Sequence, residues 1–362
     1  MRKSYNNLLS YISWLFARPF IKPEILQIDL THRCNLNCRM CNVKQYPVGE
    51  GEELSKDEIY DLLEQAKNLG VKNFIIAGGE PLLREDIFEI CTYAREREIF
   101  PVIISNGTLL DKDYAEKMIN NFKGAISISL DGTEEKHDYL RGAGSFKKTI
   151  EGIKRVTNIQ ESRKVKNILL SIGLVITKFN YKDLLGIIDI AKELKVDSVY
   201  FIPLLRDNTD LNNVSDGYQL WLTKKESDEL GIILKEAIRL SREKGVNLEV
   251  KIPNDSMVKY YRSEIHGKEW MCYGGFKNIF ITLCNPEKKE YFQPYVRICM
   301  EFIGNVRRER LKDIWFSKNA YDAREKIKYC KAPCMQPCFP GTSPNRYQRL
   351  INSILHWQRA TK

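Results

Sequence analysis

The sequence has no apolar stretch long enough to cross a membrane and no tandem repeat or low-complexity tail. A membrane-spanning helix needs about 20 consecutive apolar residues, and the apolar run at 8–16 is much shorter. Histidine is scarce, with four in 362 residues, and no His/Asp/Glu pair marks itself as a proton acceptor. These absences argue against a membrane-spanning protein, and they provide no candidate for a catalytic acid or base.

The sequence also lacks a compact basic stripe with interleaved aromatic residues, although its net charge is +10. The lysines are dispersed along predicted helices, as on solvated helix faces. Direct binding of RNA or DNA is therefore disfavoured. An acidic substrate, or a basic cleft for an acidic electron donor, stays compatible with this charge.

Ten cysteines are present, but they are not spread as a disulfide framework would be. Nine of them group in the regions 34–41 and 272–338, in part at metal-ligand spacings, which indicates metal binding in a reducing compartment. We therefore expect a cytoplasmic protein. Cys91 stands apart in an apolar helical segment and is predicted to be a buried apolar residue.

Cys34, Cys38 and Cys41 form a C-x-x-x-C-x-x-C run directly after a predicted strand at 25–30. Three thiolates in one loop leave one iron of a [4Fe–4S] cluster open, and an open iron can bind a small molecule. A structural metal site would close every position. Because active sites of parallel α/β sheets lie at the carboxyl ends of strands, the spacing predicts catalysis.

Strand and helix patterns alternate six times between residues 25 and 205. Parallel strands with helical crossovers follow from this alternation. Six units are too few for a closed eight-stranded barrel, so we predict an α/β fold: a partial (β/α)6 TIM-like barrel with a small C-terminal β-hairpin/α iron–sulfur domain. The predicted division is 1–24 N-terminal amphipathic helix, 25–205 barrel core, 206–269 linker and helix, 270–340 iron–sulfur domain and 341–362 C-terminal helix.

Two motifs together resemble the radical S-adenosylmethionine (radical SAM) enzymes. One is the three-cysteine loop, and the other is Gly78-Gly79-Glu80-Pro81 after a second strand. The sequence departs from the family at Met40, where an aromatic residue is usual. The resemblance covers roughly residues 25 to 205. It implies a catalytic [4Fe–4S] cluster on the three cysteines, bound S-adenosylmethionine, and an electron donor such as flavodoxin or ferredoxin.

The resemblance also implies which strand ends contact S-adenosylmethionine or the substrate. Glu80 would accept a hydrogen bond from the ammonium group, and Arg141 would pair with the carboxylate, unless it is a surface arginine. Asp131 is equally compatible with a turn before Gly132. The predicted cofactor-binding residues are Gly78, Gly79, Glu80, Pro81, Ser105, Asn106, Ser129, Asp131, Arg141 and Val175.

A second cysteine group follows at 272–338, around a predicted β-hairpin that ends at Cys299. Its pattern resembles the SPASM or shorter twitch extension of radical SAM enzymes, which implies an auxiliary cluster. Two fully ligated clusters need eight thiolates and one needs four, so six cysteines predict one auxiliary [4Fe–4S] cluster. The predicted ligands are Cys272, Cys299, Cys330 and either Cys334 or Cys338, with Cys284 expendable. A structural zinc site is the alternative.

Amphipathic patterns mark both ends of the sequence. The N-terminal stripe of Leu8, Ile12 and Leu15 predicts a helix packed on the protein's own core. The alternative is peripheral contact with a membrane surface or a partner. The segment 347–357 carries the same ambiguity.

The predicted activity is reductive cleavage of S-adenosylmethionine to a 5′-deoxyadenosyl radical, which abstracts hydrogen from a substrate. A peptide or protein side chain is the expected substrate, as in peptide maturases. Oxidation of a small alcohol or sugar is the alternative. A protein that is not an enzyme, either an iron–sulfur electron-transfer or sensor protein or a zinc-stabilised binding protein, is the competing class.

Overall fold

The computed structural model describes residues 2–41, 43, 52–205, 217–250, 254–264, 272–285, 290–299 and 301–328. Three predicted auxiliary ligands, Cys330, Cys334 and Cys338, and the predicted C-terminal helix at 341–362 lie outside the described residues.

One ten-stranded sheet organises the described residues, in the order β10-β9-β8-β1-β2-β3-β4-β5-β6-β7. Every pairing from β1 to β7 is parallel, and the predicted partial (β/α)6 barrel is confirmed. The strands are β1 Ile25–Thr31, β2 Asn73–Gly78, β3 Phe100–Ser105, β4 Gly124–Ser129, β5 Ile168–Ile176, β6 Ser198–Pro203, β7 Leu248–Glu249, β8 Asn278–Asn285, β9 Glu290–Ile298 and β10 Glu301–Asn305.

Helices connect the parallel strands, and the first crossover helix begins and ends at recognisable signals. Ser55 and Glu58 form a capping box at the start of the first crossover helix, and Gly70 ends it in the left-handed conformation. The helices are α1 Arg2–Phe16, α2 Lys56–Leu69, α3 Ile87–Glu96, α4 Lys112–Asn121, α5 Glu134–Arg141, α6 Ser145–Arg163, α7 Leu184–Glu193, α8 Gly217–Leu220, α9 Lys224–Lys244, α10 Asn254–Tyr261, α11 Gly274–Lys277, α12 Leu311–Phe316 and α13 Lys318–Lys328.

Alternation along the strands gives the barrel two different faces. In β1, Leu26, Ile28 and Leu30 are fully buried in the main apolar core, while the intervening residues are half-buried on the other face. Because the strands are parallel, their carboxyl ends meet at one edge of the sheet. The loops after β1 to β5 can therefore build one site.

The C-terminal hairpin continues the barrel sheet. β8 runs parallel to β1, with Ile28 opposite Ile281, and β9 and β10 follow as antiparallel strands. This pairing covers the open edge of β1, which would otherwise be left unsatisfied. The predicted hairpin is present, and the sheet passes without a break into the region predicted as a separate iron–sulfur domain.

Helix α1 packs on the C-terminal part of the molecule through its aromatic side. Tyr11 and Trp14 are buried against Tyr273 and Phe276. This contact agrees with the favoured prediction of a helix packed on the protein's own core, although Leu8 and Phe16 are exposed. No described helix is both long and apolar enough to cross a membrane.

Candidate functional site

A cavity opens where the carboxyl ends of β1 to β5 meet. It brings together the three cysteines of the loop after β1 and eight of the ten predicted cofactor-binding residues. The lining residues are Cys34, Leu36, Asn37, Cys38, Met40, Cys41, Val43, Gly78, Gly79, Glu80, Ile104, Ser105, Asn106, Ser129, Arg141 and Val175. Pro81 and Asp131 do not line it.

The glycines at the end of β2 are needed for contact with the cysteine loop. The Gly79 N–H donates to the Thr31 carbonyl at 2.6 Å, and the Glu80 N–H donates to the Arg33 carbonyl at 2.8 Å. A Cβ atom on Gly79 would lie 2.1 Å from the Arg33 carbonyl oxygen. Sequence reasoning assigned these glycines to ligand approach, whereas the structure shows that they first fix the base of the cysteine loop.

Glu80 is held in one orientation by three donors. Its Oε1 accepts from Ser105 Oγ at 2.8 Å and from the Leu82 N–H at 3.1 Å, and its Oε2 accepts from the Asn106 N–H at 2.8 Å. Burial raises the pKa of Glu80, while these hydrogen bonds work in the opposite direction. The carboxyl group is thus a fixed acceptor at the cavity wall. Pro81 starts the short 3₁₀ turn that follows and is buried.

A second network ties the cysteine loop to the end of β3, and sequence reasoning missed it. Asn106 Nδ2 donates to Asn35 Oδ1 at 2.8 Å, and Asn35 Nδ2 donates to Thr108 Oγ1 at 2.8 Å. Asn35 lies between two predicted cluster ligands, so this network fixes the loop at its middle. The two asparagines are 71 residues apart, which leaves no local signal in the sequence.

Asp131 is fully buried and acts on the cavity through Arg141. Its Oδ2 accepts from Arg141 Nε, and its Oδ1 accepts from the Val175 N–H at 2.8 Å. Arg141 Nη1 lies 3.9 Å from Cys38 Sγ. Asn180 is also buried, and its Nδ2 donates hydrogen bonds to the backbone carbonyls of Asp131 and Val175. Arg141 is therefore a lining residue, and Asp131 is the buried group that orients it.

The cysteine loop provides thiols suited to a cluster. Burial raises the pKa of Cys38 to about 11, while Arg141 opposes this shift. The free thiol is protonated at neutral pH, so a metal must displace its proton. No three His, Cys, Asp or Glu side chains converge on one point within the described part of the chain. A cubane does not require such convergence, because each thiolate binds a different iron.

Glu53 stabilises the start of the cysteine loop, and this role was not identified from the sequence. It is buried and accepts from Thr31 Oγ1 and from Arg33 Nε, the latter at 3.0 Å. Arg84, which is also buried, lies 3.4 Å from the same carboxylate. This charge network anchors the end of β1, where the cysteine loop begins.

Two predicted auxiliary ligands lie within the described residues. Cys272 and Cys299 are half-buried and pack on the main core. Cys299 adopts a left-handed backbone with φ of 57°, and Arg297 donates to its carbonyl through Nε and Nη2 at 3.3 and 3.1 Å. Cys284 lies on β8, and Cys91 is fully buried in α3, as predicted.

Residues 28–174 match the family model of the radical SAM superfamily. The Fe-coproporphyrin III synthase of Methanosarcina barkeri (strain Fusaro / DSM 804) is 30% identical over 230 residues, 63% of this chain. The chain spans about half, 55%, of that relative. The AdoMet-dependent heme synthase of the same strain is 28% identical over 335 residues, 86% of this chain and 87% of that protein.

A solved structure of Streptococcus suis SuiB bound to S-adenosylmethionine superposes with a TM-score of 0.66 at 18% identity. It covers 86% of this chain and 73% of that chain. At this identity the likeness shows the fold.

Proposed function

This chain belongs to the radical SAM superfamily, and we propose that it is an oxidoreductase that modifies a peptide or protein side chain. The proposal rests above all on one observation. Three thiols, a fixed carboxyl group and a guanidinium line the same cavity at the carboxyl edge of the barrel sheet. An electron-transfer or sensor protein has no need of the last two groups beside its cluster.

The superfamily uses a [4Fe–4S] cluster and S-adenosylmethionine, and when bound the pair supplies a 5′-deoxyadenosyl radical that abstracts hydrogen from substrate. In this chain Cys34, Cys38 and Cys41 would hold the cluster. Glu80, fixed by its three donors, would accept a hydrogen bond from the ammonium group of S-adenosylmethionine. Arg141, oriented by Asp131, would pair with its carboxylate.

The apolar lining contributes by keeping water from the reacting atoms. Met40, Ile104 and Val175 line the cavity beside the polar groups. A water-poor cavity strengthens the electrostatic contacts inside it and suppresses side reactions of a radical. The barrel would hold the target carbon of the substrate close to the radical source.

Two comparisons bear on the substrate class. SuiB, which shares the fold, has also been solved bound to the precursor peptide SuiA, at a TM-score of 0.63, and this favours a peptide substrate. The heme synthase of M. barkeri aligns over 86% of this chain, which favours a carboxylated tetrapyrrole as the second candidate. A chain with net charge +10 suits an acidic substrate.

The proposal includes an auxiliary metal–thiolate centre on Cys272, Cys299, Cys330 and either Cys334 or Cys338. As an iron–sulfur cluster it would take one electron from the substrate radical, which would also release a proton, and so give net two-electron oxidation; a zinc centre would not do this. An electron donor such as flavodoxin or ferredoxin would reduce the catalytic cluster. Both requirements suit a reducing, cytoplasmic environment.

The test of the mechanism is formation of 5′-deoxyadenosine by the anaerobically reconstituted full chain with dithionite. Cys38→Ala should abolish it, because the cluster loses one of three ligands. Cys91→Ala is the matched control, since that thiol is buried in α3 away from the cavity, and its product yield should stay within about twofold. Undiminished turnover by Cys38→Ala would contradict the mechanism.

The substrate is tested by adding candidates to the same assay. Peptides encoded beside the gene should raise 5′-deoxyadenosine formation and change in mass, whereas iron-coproporphyrin III should do neither. Stimulation and a mass change with the porphyrin alone would replace the peptide proposal by the second candidate.

A further inference from the structure

Arg324 on α13 is a buried cation for which the described residues provide no counter-charge. Its side chain is 1% exposed. Its Nε donates to the Gly275 carbonyl at 2.7 Å, but its Nη2 is buried without a hydrogen-bond partner in the described part of the chain. Burial lowers the pKa of Arg324 to about 9. An unpaired buried charge is strongly destabilising, so such an arginine needs an anion.

A second orphaned donor lies beside it. The indole Nε1–H of Trp315 is also buried and has no partner among the described residues, and Arg324 Cζ is 4.4 Å from the centre of the Trp315 ring. Both groups donate only, and neither can satisfy the other. Two unmet donors in one packed cluster indicate a missing acceptor.

The cluster contacts segments that lead into both described auxiliary cysteines. Gly275, whose carbonyl accepts from Arg324, is three residues after Cys272. A Cβ on Gly275 would lie 2.8 Å from Ile298 Cγ2 and 3.4 Å from Arg324 Cγ, and Ile298 directly precedes Cys299. Arg324 therefore packs on the two segments that carry these cysteines.

We propose that Arg324 is the counter-cation of an anionic metal–thiolate centre that includes Cys272 and Cys299. This inference rests on the auxiliary centre of the proposed function. Four thiolates outweigh the positive charge of a zinc ion or of an iron–sulfur core, so either centre is an anion. The centre would compensate the buried guanidinium, and Arg324 would in turn stabilise the centre's more negative, reduced form. Arg324 is a positioning and charge-balancing residue, not a catalytic one.

The experiment uses the full chain in a Cys34/Cys38/Cys41→Ala background, which leaves only the C-terminal centre. Arg324→Met keeps an unbranched apolar side chain in place of the arginine stem and removes the charge. Arg310→Met is the matched control, because Arg310 is an exposed arginine paired with Asp61 in the same part of the molecule. Iron, sulfide and zinc contents distinguish a cluster, which contains sulfide, from a zinc site, which does not.

With Arg324 present, we expect about four irons per chain. Arg324→Met should reduce metal retention after gel filtration at least threefold. If the centre is a cluster, the ratio of reduced to oxidised form at a fixed potential should fall at least tenfold, which equals about 59 mV for one electron. Arg310→Met should change neither quantity.

The direction in which Arg324→Met changes the urea unfolding midpoint distinguishes a counter-cation from an arginine with a purely structural role. Without metal, Arg324→Met should unfold at the same or higher urea concentration than its background, because an unpaired buried charge has been removed. With metal, it should unfold at lower urea. Destabilisation of the metal-free chain, or unchanged metal content and potential in Arg324→Met, would overturn the counter-cation inference alone. Absence of any metal with Arg324 intact would overturn the auxiliary centre itself.

Discussion

The two cysteine regions of this molecule differ in how the buried arginine near each of them is paired. At the barrel edge, Arg141 is paired with the buried Asp131 and reaches Cys38. On α13, Arg324 is buried with Nη2 unpartnered in the described part of the chain. The barrel-edge arginine therefore has its counter-charge within the protein, whereas the counter-charge proposed for Arg324 is a bound anionic centre. The proposed S-adenosylmethionine site would keep this ion pair whether or not the ligand is bound.

The two cysteine regions also differ in the contacts that hold their backbone in place. The cysteine loop bonds to the neighbouring β2 and β3 ends through short contacts from Gly79, Glu80 and Asn106. Cys272 and Cys299 are instead 27 positions apart and are joined through the hairpin. The three thiols of the barrel site come from one loop that neighbouring strands hold, while the two described cysteines of the hairpin region come from separate segments before and after the hairpin.

The largest expected effect comes from disrupting the close backbone contact between Gly79 and the cysteine loop. Gly79→Ala places a Cβ 2.1 Å from the Arg33 carbonyl oxygen, and such overpacking costs about 1–3 kcal/mol or more. We expect 5′-deoxyadenosine formation to fall at least hundredfold, with metal at the hairpin region retained. Gly186→Ala is the control, because nothing lies within 4 Å of the added Cβ, and it should keep full activity. Normal activity of Gly79→Ala would refute the role given to this contact.

A smaller effect should follow from removing the carboxylate that pairs with Arg141. This change would leave a buried arginine without a counter-charge, as is the case for Arg324 among the described residues. Asp131→Asn leaves Arg141 without its carboxylate, and breaking a buried ion pair costs about 3–5 kcal/mol. The free energy of unfolding in urea should fall by that amount, and the affinity for S-adenosylmethionine should drop at least tenfold in equilibrium dialysis. Asp183→Asn, at an exposed hydrogen bond to Thr133, should change little. Added S-adenosylmethionine should restore part of the lost stability through its carboxylate; no restoration would argue against the Arg141–carboxylate pair.

The smallest effect is a pH dependence that arises from a histidine at the barrel site. Burial lowers the pKa of His137 to about 4, and the Asp131 N–H donates to its Nδ1 at 3.1 Å. Between about pH 6.5 and 4 the unfolded chain binds a proton that the folded chain does not, so stability falls as pH falls through this window. The loss is at most about 3 kcal/mol.

Replacing that histidine should flatten the dependence. His137→Asn keeps an acceptor without a titratable ring, so its urea midpoint should fall less between pH 7.5 and 5 than that of the parent chain. Equal acid sensitivity of the two proteins would assign the effect to other groups.

The barrel and the three-cysteine loop could be predicted from the sequence, because both depend on local patterns. Strand alternation, the Ser55 capping box and the C-x-x-x-C-x-x-C spacing are each confined to a short segment. The exact partners of Asp131 were not predictable, since Arg141 and Val175 reach it from other elements. Asn35 and Glu53 were missed for the same reason.

By itself, then, the sequence determined the alternation of strands and helices, the resemblance to the radical SAM superfamily and the three thiols of the loop after β1. Only the tertiary structure decided that Gly79 contacts the cysteine loop, that Asp131 orients Arg141 and that Arg324 is buried against Gly275 and Trp315. The physical reason is that hydrophobic periodicity and ligand spacing are local, whereas burial and charge pairing are properties of residues brought together by folding.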